Sequence, residues 1–334
     1  MKLVSISLAT ILAASAAAQS DSFGLKNGDR VVFYGDSITE QRLYSAFAET
    51  FVLTRFPKLK VSFVHSGVGG DRVTGGWMGD IDTRLTRDVV AYKPTVVTIM
   101  LGMNDASYRP FDKGLFDTYQ SGYEKIVANL KARLPGVRLT LIQPSPFDDV
   151  TRPVSFEGGY NAVLLRYSEA VRRIAVREEA TVADLNTPVV RMLEKANAKD
   201  PANAQKIIPD RVHPGAQGHL IMAQGLLKAW NAPSLVSSVA FDAGTAKVTA
   251  QANTAVSGLV ADGRGGLSWT QKDEALPFPI DLDDPVTRLT VESSDFSSEL
   301  NRQTRNRIVE IDRERERLVL LRPGESAPAV GDEA

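Results

Sequence analysis

The sequence contains no cysteine among its 334 residues. That absence excludes disulfides, thiolate metal sites and a cysteine nucleophile in any compartment. Histidine is scarce, with three residues, and 39 basic against 40 acidic side chains leave a formal net charge of −1. A chain without an excess of positive charge has no electrostatic reason to bind nucleic acid or an anionic membrane surface. Small molecules and neutral polymers are the partners that fit this composition.

An apolar run long enough to span a membrane is also lacking. Near the N-terminus, Lys2 is followed by a short apolar stretch and then by three alanines at 16–18, which is typical of a secretory signal peptide. A membrane-spanning helix is the alternative, but it needs about 20 apolar residues. We therefore expect residues 1–18 to be a signal peptide and the protein to be secreted or periplasmic, with no stable membrane span after cleavage.

Short apolar runs alternate with longer amphipathic stretches between residues 22 and 232, as in repeated strand-helix units around a parallel sheet. This pattern predicts an α/β domain with a three-layer, doubly wound parallel sheet of the flavodoxin-like type. The run at 95–101 is almost wholly apolar, which favours a central strand buried on both faces. The predicted strands are 30–34, 60–64, 95–101, 137–143 and 181–185.

The composition changes after the break at residues 231–234. Short strand-like runs between turn residues, among them 237–240 and 287–291, predict a smaller, mostly β module over 233–322, followed by a flexible tail at 323–334. Trp269 and the apolar stretch 276–280 have two equally good interpretations. They either pack, in a small core of the module or docked on the main domain, or form a surface that stacks on sugars.

One candidate nucleophile follows the first predicted strand. In the triplet Gly35-Asp36-Ser37, the glycine permits a tight bend and Ser37 emerges at the carboxyl end of the strand, where open α/β sheets bind ligands. Most such triplets are ordinary turns, so the triplet alone is a weak signal.

Acyl transfer by a serine also requires a base and a carboxylate that orients the base. Asp210 precedes His213 by three residues, a spacing that lets a turn fold the carboxylate back onto the imidazole. His213 is therefore the best candidate base. His219 lies in the predicted helix that follows and is interpreted as structural, whereas the role of His65 stays open.

The oxyanion of the reaction needs hydrogen-bond donors. Gly70, in a glycine-rich segment after the second strand, can bring a backbone N–H group close to a ligand, although a flexible loop explains the segment equally well. Asn104 follows the third strand and offers a side-chain amide, or simply caps a helix. Because all these residues follow strand ends, we expect them at one edge of the sheet.

Four motifs in this order resemble those of the SGNH hydrolases, the GDSL esterase and lipase family. They are Gly35-Asp36-Ser37, Gly67-Val68-Gly69-Gly70-Asp71, Gly102-Met103-Asn104-Asp105 and Asp210-Arg211-Val212-His213. The resemblance covers about residues 28–230. It implies a catalytic triad of Ser37, His213 and Asp210, and an oxyanion hole formed by Ser37, Gly70 and Asn104. His65 departs from the pattern, because many members have asparagine there.

The resemblance implies a serine esterase that needs no metal or other cofactor. Export and the attached module favour O-acetylated carbohydrate, including acetylated polysaccharide, over lipid as the ester substrate. A lipase, lysophospholipase or thioesterase with the same site is the first alternative. A carbohydrate-binding protein on an inactive hydrolase scaffold is the second. Acyl chain length, the alcohol moiety and the oligomeric state cannot be derived from the sequence.

Overall fold

The computed structural model describes residues 23–242, 245–261, 266–300, 307–312 and 317–321. The predicted signal peptide and the predicted tail at 323–334 lie outside these residues. Within the described part of the chain, no helix is both long enough and apolar enough to cross a membrane.

The α/β part of the chain alternates strands and helices. The strands are β1 (Arg30–Gly35), β2 (Ser62–Gly67), β3 (Gly75–Gly76), β4 (Gly79–Asp80), β5 (Val96–Met100), β6 (Arg138–Ile142) and β7 (Thr181–Ala183). The helices are α1 (Ser37–Glu40), α2 (Leu43–Arg55), α3 (Ile81–Asp88), α4 (Lys113–Arg133), α5 (Gly159–Arg177), α6 (Thr187–Lys199), α7 (Pro201–Ala204) and α8 (Ala216–Ala229).

One parallel sheet organises this part, with the strand order β2-β1-β5-β6-β7. β1 pairs with β2 on one side and with β5 on the other, so Gly35 lies opposite both Gly67 and Met100. β5 is the central strand and is buried along its whole length, as its apolar sequence predicts. The carboxyl ends of β1, β2 and β5 therefore meet at one edge.

Helices cover both faces of the sheet. Successive side chains of a strand point to opposite faces, and β1 shows this clearly: the Phe33 ring contacts Tyr44 of α2, whereas the Tyr34 ring lies under the Arg84 guanidinium of α3. Helices α2, α6 and α8 pack on the first face, and α3, α4 and α5 on the second. The predicted three-layer α/β fold with a parallel sheet is confirmed.

Small antiparallel hairpins follow the α/β part. They pair β8 (Ser238–Asp242) with β9 (Lys247–Ala252), β10 (Thr254–Ala261) with β11 (Leu267–Asp273), and β12 (Arg307–Asp312) with β13 (Arg317–Leu321). The strand predicted at 287–291 is wrong: this stretch lies in helix α9 (Pro285–Glu292), which is followed by α10 (Phe296–Leu300). The Asp284 side chain caps α9 by accepting from the Thr287 N–H at 2.7 Å, and Pro285 occupies the first turn.

Part of the C-terminal segment docks on the α/β layers. Phe278 is buried, with its ring 6.0 Å from Phe47 of α2 and 5.8 Å from Phe296 of α10. The buried Arg55 guanidinium of α2 donates to the carbonyls of Leu235 at 2.9 Å and Leu300 at 2.8 Å. Of the two interpretations of 276–280, the structure favours docking.

Trp269 takes no part in that docking contact. Its ring packs on Phe241, with the ring centroids 4.5 Å apart, and so joins β11 to β8.

Candidate active site

The candidate nucleophile lies where β1 turns into α1. A side chain at Gly35 would place its Cβ 2.3 Å from Thr39 Oγ1 and 2.6 Å from the Met100 carbonyl, so only glycine allows this close turn. The buried Asp36 caps α1, and its Oδ1 accepts from the Ile38 N–H at 3.0 Å. Ser37 is thereby held as the first residue of the helix, at the carboxyl edge of the sheet.

The predicted base and its carboxylate occupy one turn. Asp210 Oδ1 accepts from the backbone N–H groups of Val212 at 2.9 Å and His213 at 2.7 Å, while Oδ2 contacts His213 Nδ1 at 2.6 Å. The other ring nitrogen, Nε2, lies 2.8 Å from Ser37 Oγ. The structure thus brings together the three residues that the sequence analysis selected, although 173 positions separate Ser37 from Asp210.

The charge of Asp210 determines which imidazole nitrogen carries the proton. Burial works against ionisation, but hydrogen bonds from the His213 backbone, the His213 ring and the Val212 backbone outweigh it and lower the pKa of Asp210. An ionised carboxylate can only accept, so Nδ1 carries the proton and Nε2 presents a lone pair to the Ser37 hydroxyl.

Two arginines hold the Asp210 turn against the loop that follows β6. Arg211 has a left-handed backbone (φ 73°), and its guanidinium donates to the carbonyls of Asp148 at 3.0 Å and Arg152 at 3.3 Å. The Arg152 guanidinium donates in return to the carbonyls of Ile208 at 2.9 Å and Pro209 at 2.8 Å. No local sequence pattern marks either arginine as functional, because their contacts join segments some 60 positions apart.

His219 lies outside the predicted triad and is fully buried. Its Nδ1 accepts from the Tyr44 N–H at 3.2 Å and its Nε2 lies 3.0 Å from Gln41 Oε1, while Gln41 Nε2 donates to the Pro214 carbonyl at 3.4 Å. Burial lowers the pKa of His219 to about 3, with His213 adding to the effect. His219 is therefore a neutral structural residue that links the segment after Ser37 to the segment after His213.

His65 also lies outside the predicted triad. It is part of β2, with Nδ1 2.7 Å from Ser45 Oγ, Nε2 3.4 Å from a Glu49 carboxylate oxygen and its ring stacked on Phe33. These contacts place His65 against α2 and on a face of the sheet, away from the strand ends.

The predicted oxyanion donors lie around the same sheet edge. Residues 68–71 form a β-turn in which the Asp71 N–H donates to the Val68 carbonyl at 3.2 Å, and Gly70 takes a left-handed conformation (φ 76°). A Cβ on Gly69 would lie 3.9 Å from that of Ser37, so this turn borders the nucleophile. Asn104 follows β5, and its Nδ2 donates to the Asp71 carbonyl at 3.1 Å.

Buried acids lie beneath this turn. Asp71 accepts from Arg84 Nε at 2.6 Å, and Asp105 accepts from the Val73 N–H at 2.9 Å. Burial raises the pKa of Asp36 to about 7, an effect opposed by the Ile38 hydrogen bond. Burial likewise raises the pKa of Asp105 to about 6. No group of three or more histidine, aspartate or glutamate side chains among the described residues is arranged to hold a metal ion.

A serine, a histidine and an aspartate hydrogen-bonded in series on a parallel α/β sheet define a class of hydrolytic enzymes. The sequence matches the profile of the GDSL-like lipase/acylhydrolase family over residues 33–221, more than half of the chain. The chain belongs to this family and is a carboxylic ester hydrolase.

Two of the similar proteins are acetylxylan esterases from one organism. An acetylxylan esterase from Geobacillus stearothermophilus is 26% identical over an alignment of 228 residues, and the match covers 60% of this chain and 94% of that protein. A crystal structure of an acetylxylan esterase from the same organism superimposes with a TM-score of 0.50 at 25% identity, covering 62% of this chain and 96% of that one.

A gut microbial diltiazem-metabolizing enzyme resembles a larger part of this chain. Its structure has a TM-score of 0.71 at 27% identity, and the likeness covers 83% of this chain and 65% of that one. This structure therefore matches a larger part of the chain than the acetylxylan esterase structure does, 83% against 62%.

Proposed function

We propose that the protein is an exported serine esterase that hydrolyses carboxylic esters through an acyl-enzyme. Ser37 is the nucleophile, His213 is the general base and then the general acid, and Asp210 orients the imidazole. The observation that carries this proposal is the pair of hydrogen bonds in series, 2.8 Å from Ser37 Oγ to His213 Nε2 and 2.6 Å from Nδ1 to Asp210. This is the arrangement that activates a serine hydroxyl.

The reaction takes two steps of the same kind. Ser37 Oγ attacks the acyl carbon and passes its proton to His213 Nε2, which gives that proton to the departing alcohol. A water then attacks the acyl-enzyme, with His213 again taking and returning a proton, and the carboxylic acid is released. The backbone N–H groups of Ser37 and Gly70 and the Asn104 amide stabilise the negative oxygen in both steps.

Acetyl groups on carbohydrate are the substrate that the comparisons favour. The acetylxylan esterase from Geobacillus stearothermophilus is matched over 94% of its own length. The site adds a physical argument, since the Trp77 side chain beside the 68–71 turn is 75% exposed. An exposed indole ring of this kind can pack against the apolar face of a sugar. A lipase and a non-catalytic carbohydrate-binding protein are the alternatives that the experiment separates.

The experiment compares the parent with Ser37→Ala and with Ser121→Ala, which changes an exposed serine of α4. We expect the parent and Ser121→Ala to hydrolyse p-nitrophenyl acetate and to react with a fluorophosphonate probe, and Ser37→Ala to do neither while keeping its circular dichroism spectrum. Faster turnover of acetylated xylo-oligosaccharide than of p-nitrophenyl octanoate supports the carbohydrate assignment. The reverse order supports a lipase, and a parent without hydrolysis or labelling supports the binding protein.

A further inference from the structure

Two exposed aromatic side chains, Trp77 and Tyr108, are hydrogen-bonded to the candidate oxyanion hole, and the acyl-transfer steps use neither. The Trp77 indole N–H donates to the Gly69 carbonyl at 2.8 Å, and the Tyr108 hydroxyl donates to Asn104 Oδ1 at 3.0 Å. We propose that they are positioning residues, each of which fixes the direction of one oxyanion donor. This inference rests on the proposed function.

Trp77 acts through the planarity of one peptide group. The Gly69 carbonyl and the Gly70 N–H belong to the same trans peptide, so they point in opposite directions. By holding the carbonyl on its own side of the turn, the indole directs the Gly70 N–H to the opposite side. Glycine peptides rotate easily and need such an anchor.

The hairpin that carries Trp77 is itself firmly held. The Gly75 N–H donates to the Arg72 carbonyl at 2.9 Å. A Cβ at Gly75 would lie 2.4 Å from the Gly79 carbonyl, so strands β3 and β4 are in close contact. Trp77 therefore lies on a short, tightly packed hairpin beside the 68–71 turn to which its indole is hydrogen-bonded.

Tyr108 acts on the amide plane of Asn104. The Asp71 carbonyl can only accept, so the amide nitrogen must face Asp71, and the amide oxygen then faces Tyr108. With the oxygen held by the tyrosine hydroxyl and one amide hydrogen on Asp71, rotation of the amide is restricted from both sides. The second amide hydrogen is left with a defined direction.

The backbone at Tyr108 supports a functional role. Ser107 (φ 57°) and Tyr108 (φ 53°) are consecutive non-glycine residues in the left-handed region, which is costly and is concentrated at functional sites. The Tyr160 ring stacks on Tyr108 with the centroids 5.0 Å apart and holds it in place. Burial, with the carboxylates of Asp36 and Asp210, raises the pKa of Tyr108 to about 12, so the hydroxyl remains a donor at any working pH.

The first test is kinetic and uses p-nitrophenyl acetate. Tyr108→Phe and Trp77→Phe keep a ring and remove one hydrogen bond, and we expect each to lower kcat about tenfold with KM changed less than about twofold. Tyr92→Phe, at an equally exposed tyrosine (48% against 44%) that precedes β5, and Trp269→Phe are the matched controls and should retain the parent kcat.

A double-mutant cycle separates positioning from a general structural effect. In an Asn104→Ala background, Tyr108→Phe should change kcat less than about twofold, whereas Trp77→Phe should keep its full effect. An equal loss from Tyr108→Phe in both backgrounds, or a loss confined to KM, would overturn the assignment of Tyr108.

A second readout does not depend on catalysis. The side-chain amide resonances of Asn104, assigned by their loss in Asn104→Ala, should shift in Tyr108→Phe, and the Gly70 backbone amide should shift in Trp77→Phe. Unchanged resonances would overturn the inference even in an active enzyme. An inactive parent whose resonances shift as expected would refute the proposed function and leave the positioning contacts standing.

Discussion

Replacing Asp210 with asparagine tests how the carboxylate directs His213. In the parent, Oδ1 accepts from two backbone N–H groups while Oδ2 accepts from His213 Nδ1. An asparagine has one oxygen, and the two backbone donors hold it in the position of Oδ1. The amide nitrogen is then left facing Nδ1, where it can only donate. The ring must adopt the other tautomer, with the proton on Nε2, and it can no longer accept the proton of Ser37.

The expected loss of kcat can be estimated from the free energy needed to turn the asparagine amide over and restore the productive tautomer. Turning the amide over would give up two backbone hydrogen bonds at about 1 kcal/mol each, or about 2 kcal/mol in total. At about 1.4 kcal/mol per factor of ten, the productive tautomer is reduced about 30-fold. Loss of the negative charge, which stabilises the imidazolium, adds to this. We expect kcat for p-nitrophenyl acetate to fall by about 10² to 10⁴.

The assay is a steady-state measurement of p-nitrophenol release by the parent and by Asp210→Asn, with thermal unfolding curves to confirm that both are folded. Because asparagine retains the two backbone hydrogen bonds, the midpoints should lie close together. A folded variant whose kcat stays within about threefold of the parent would remove Asp210 from the mechanism.

Three further predictions concern the candidate oxyanion donor Asn104, the buried carboxyl group of Asp36 and the C-terminal segment. Asn104→Ala should lower kcat by about 10² to 10³ with a smaller effect on KM, and a change in KM alone would assign it to ground-state binding. The pKa of Asp36 is about 7 in the folded protein against 3.8 as its ordinary value. Ionisation therefore opposes folding, and the stability of Asp36→Asn relative to the parent in chemical unfolding should rise from about pH 4 to pH 7 and then level off; a flat difference would refute this. A protein ending at Asn231 loses the cover over Phe47 and the acceptors of Arg55, so it should melt earlier or aggregate, and its rates on p-nitrophenyl acetate and acetylated xylan should fall together; unchanged melting would contradict docking.

The sheet and the strand-end residues were predictable because the relevant signals are local. An apolar run followed by Gly35 predicts one turn, and a carboxylate three positions before His213 predicts another. Neither prediction needs information from the rest of the chain. Since parallel strands align their carboxyl ends, local signals of this kind were enough to place Ser37 and Asn104 at one edge. His213 was expected after a strand end as well, but it lies in a loop between α7 and α8 and reaches the same edge from there.

Other features depend on contacts between distant segments. The left-handed backbone at Ser107 and Tyr108 could not be predicted, because neither residue is a glycine. It is stabilised by the Tyr160 ring, which packs on the Tyr108 ring. Arg211 lies inside a recognised motif, but its partners in the 148–153 loop are far away in sequence.

The C-terminal segment shows a different kind of failure. The β-branched residues at 287–291 favour a strand, and a strand was predicted there. The same stretch is preceded by a helix start signal, Asp284 followed by Pro285, and the structure follows that signal.

The compact turn that holds both Asp210 and His213 bears on how such a chain can diversify. The proposed base and its carboxylate are joined by three hydrogen bonds within four residues, so their mutual angle is set mainly inside the turn. Insertions between residues 109 and 112, which follow Tyr108 and precede α4, would reshape the approach to Ser37 without altering that angle. The 2.8 Å separation of His213 Nε2 from Ser37 Oγ depends instead on long-range contacts, among them the hydrogen bond from Gln41 to the Pro214 carbonyl. New ester specificities are therefore accessible by exchange of loops around an unchanged proton-transfer unit.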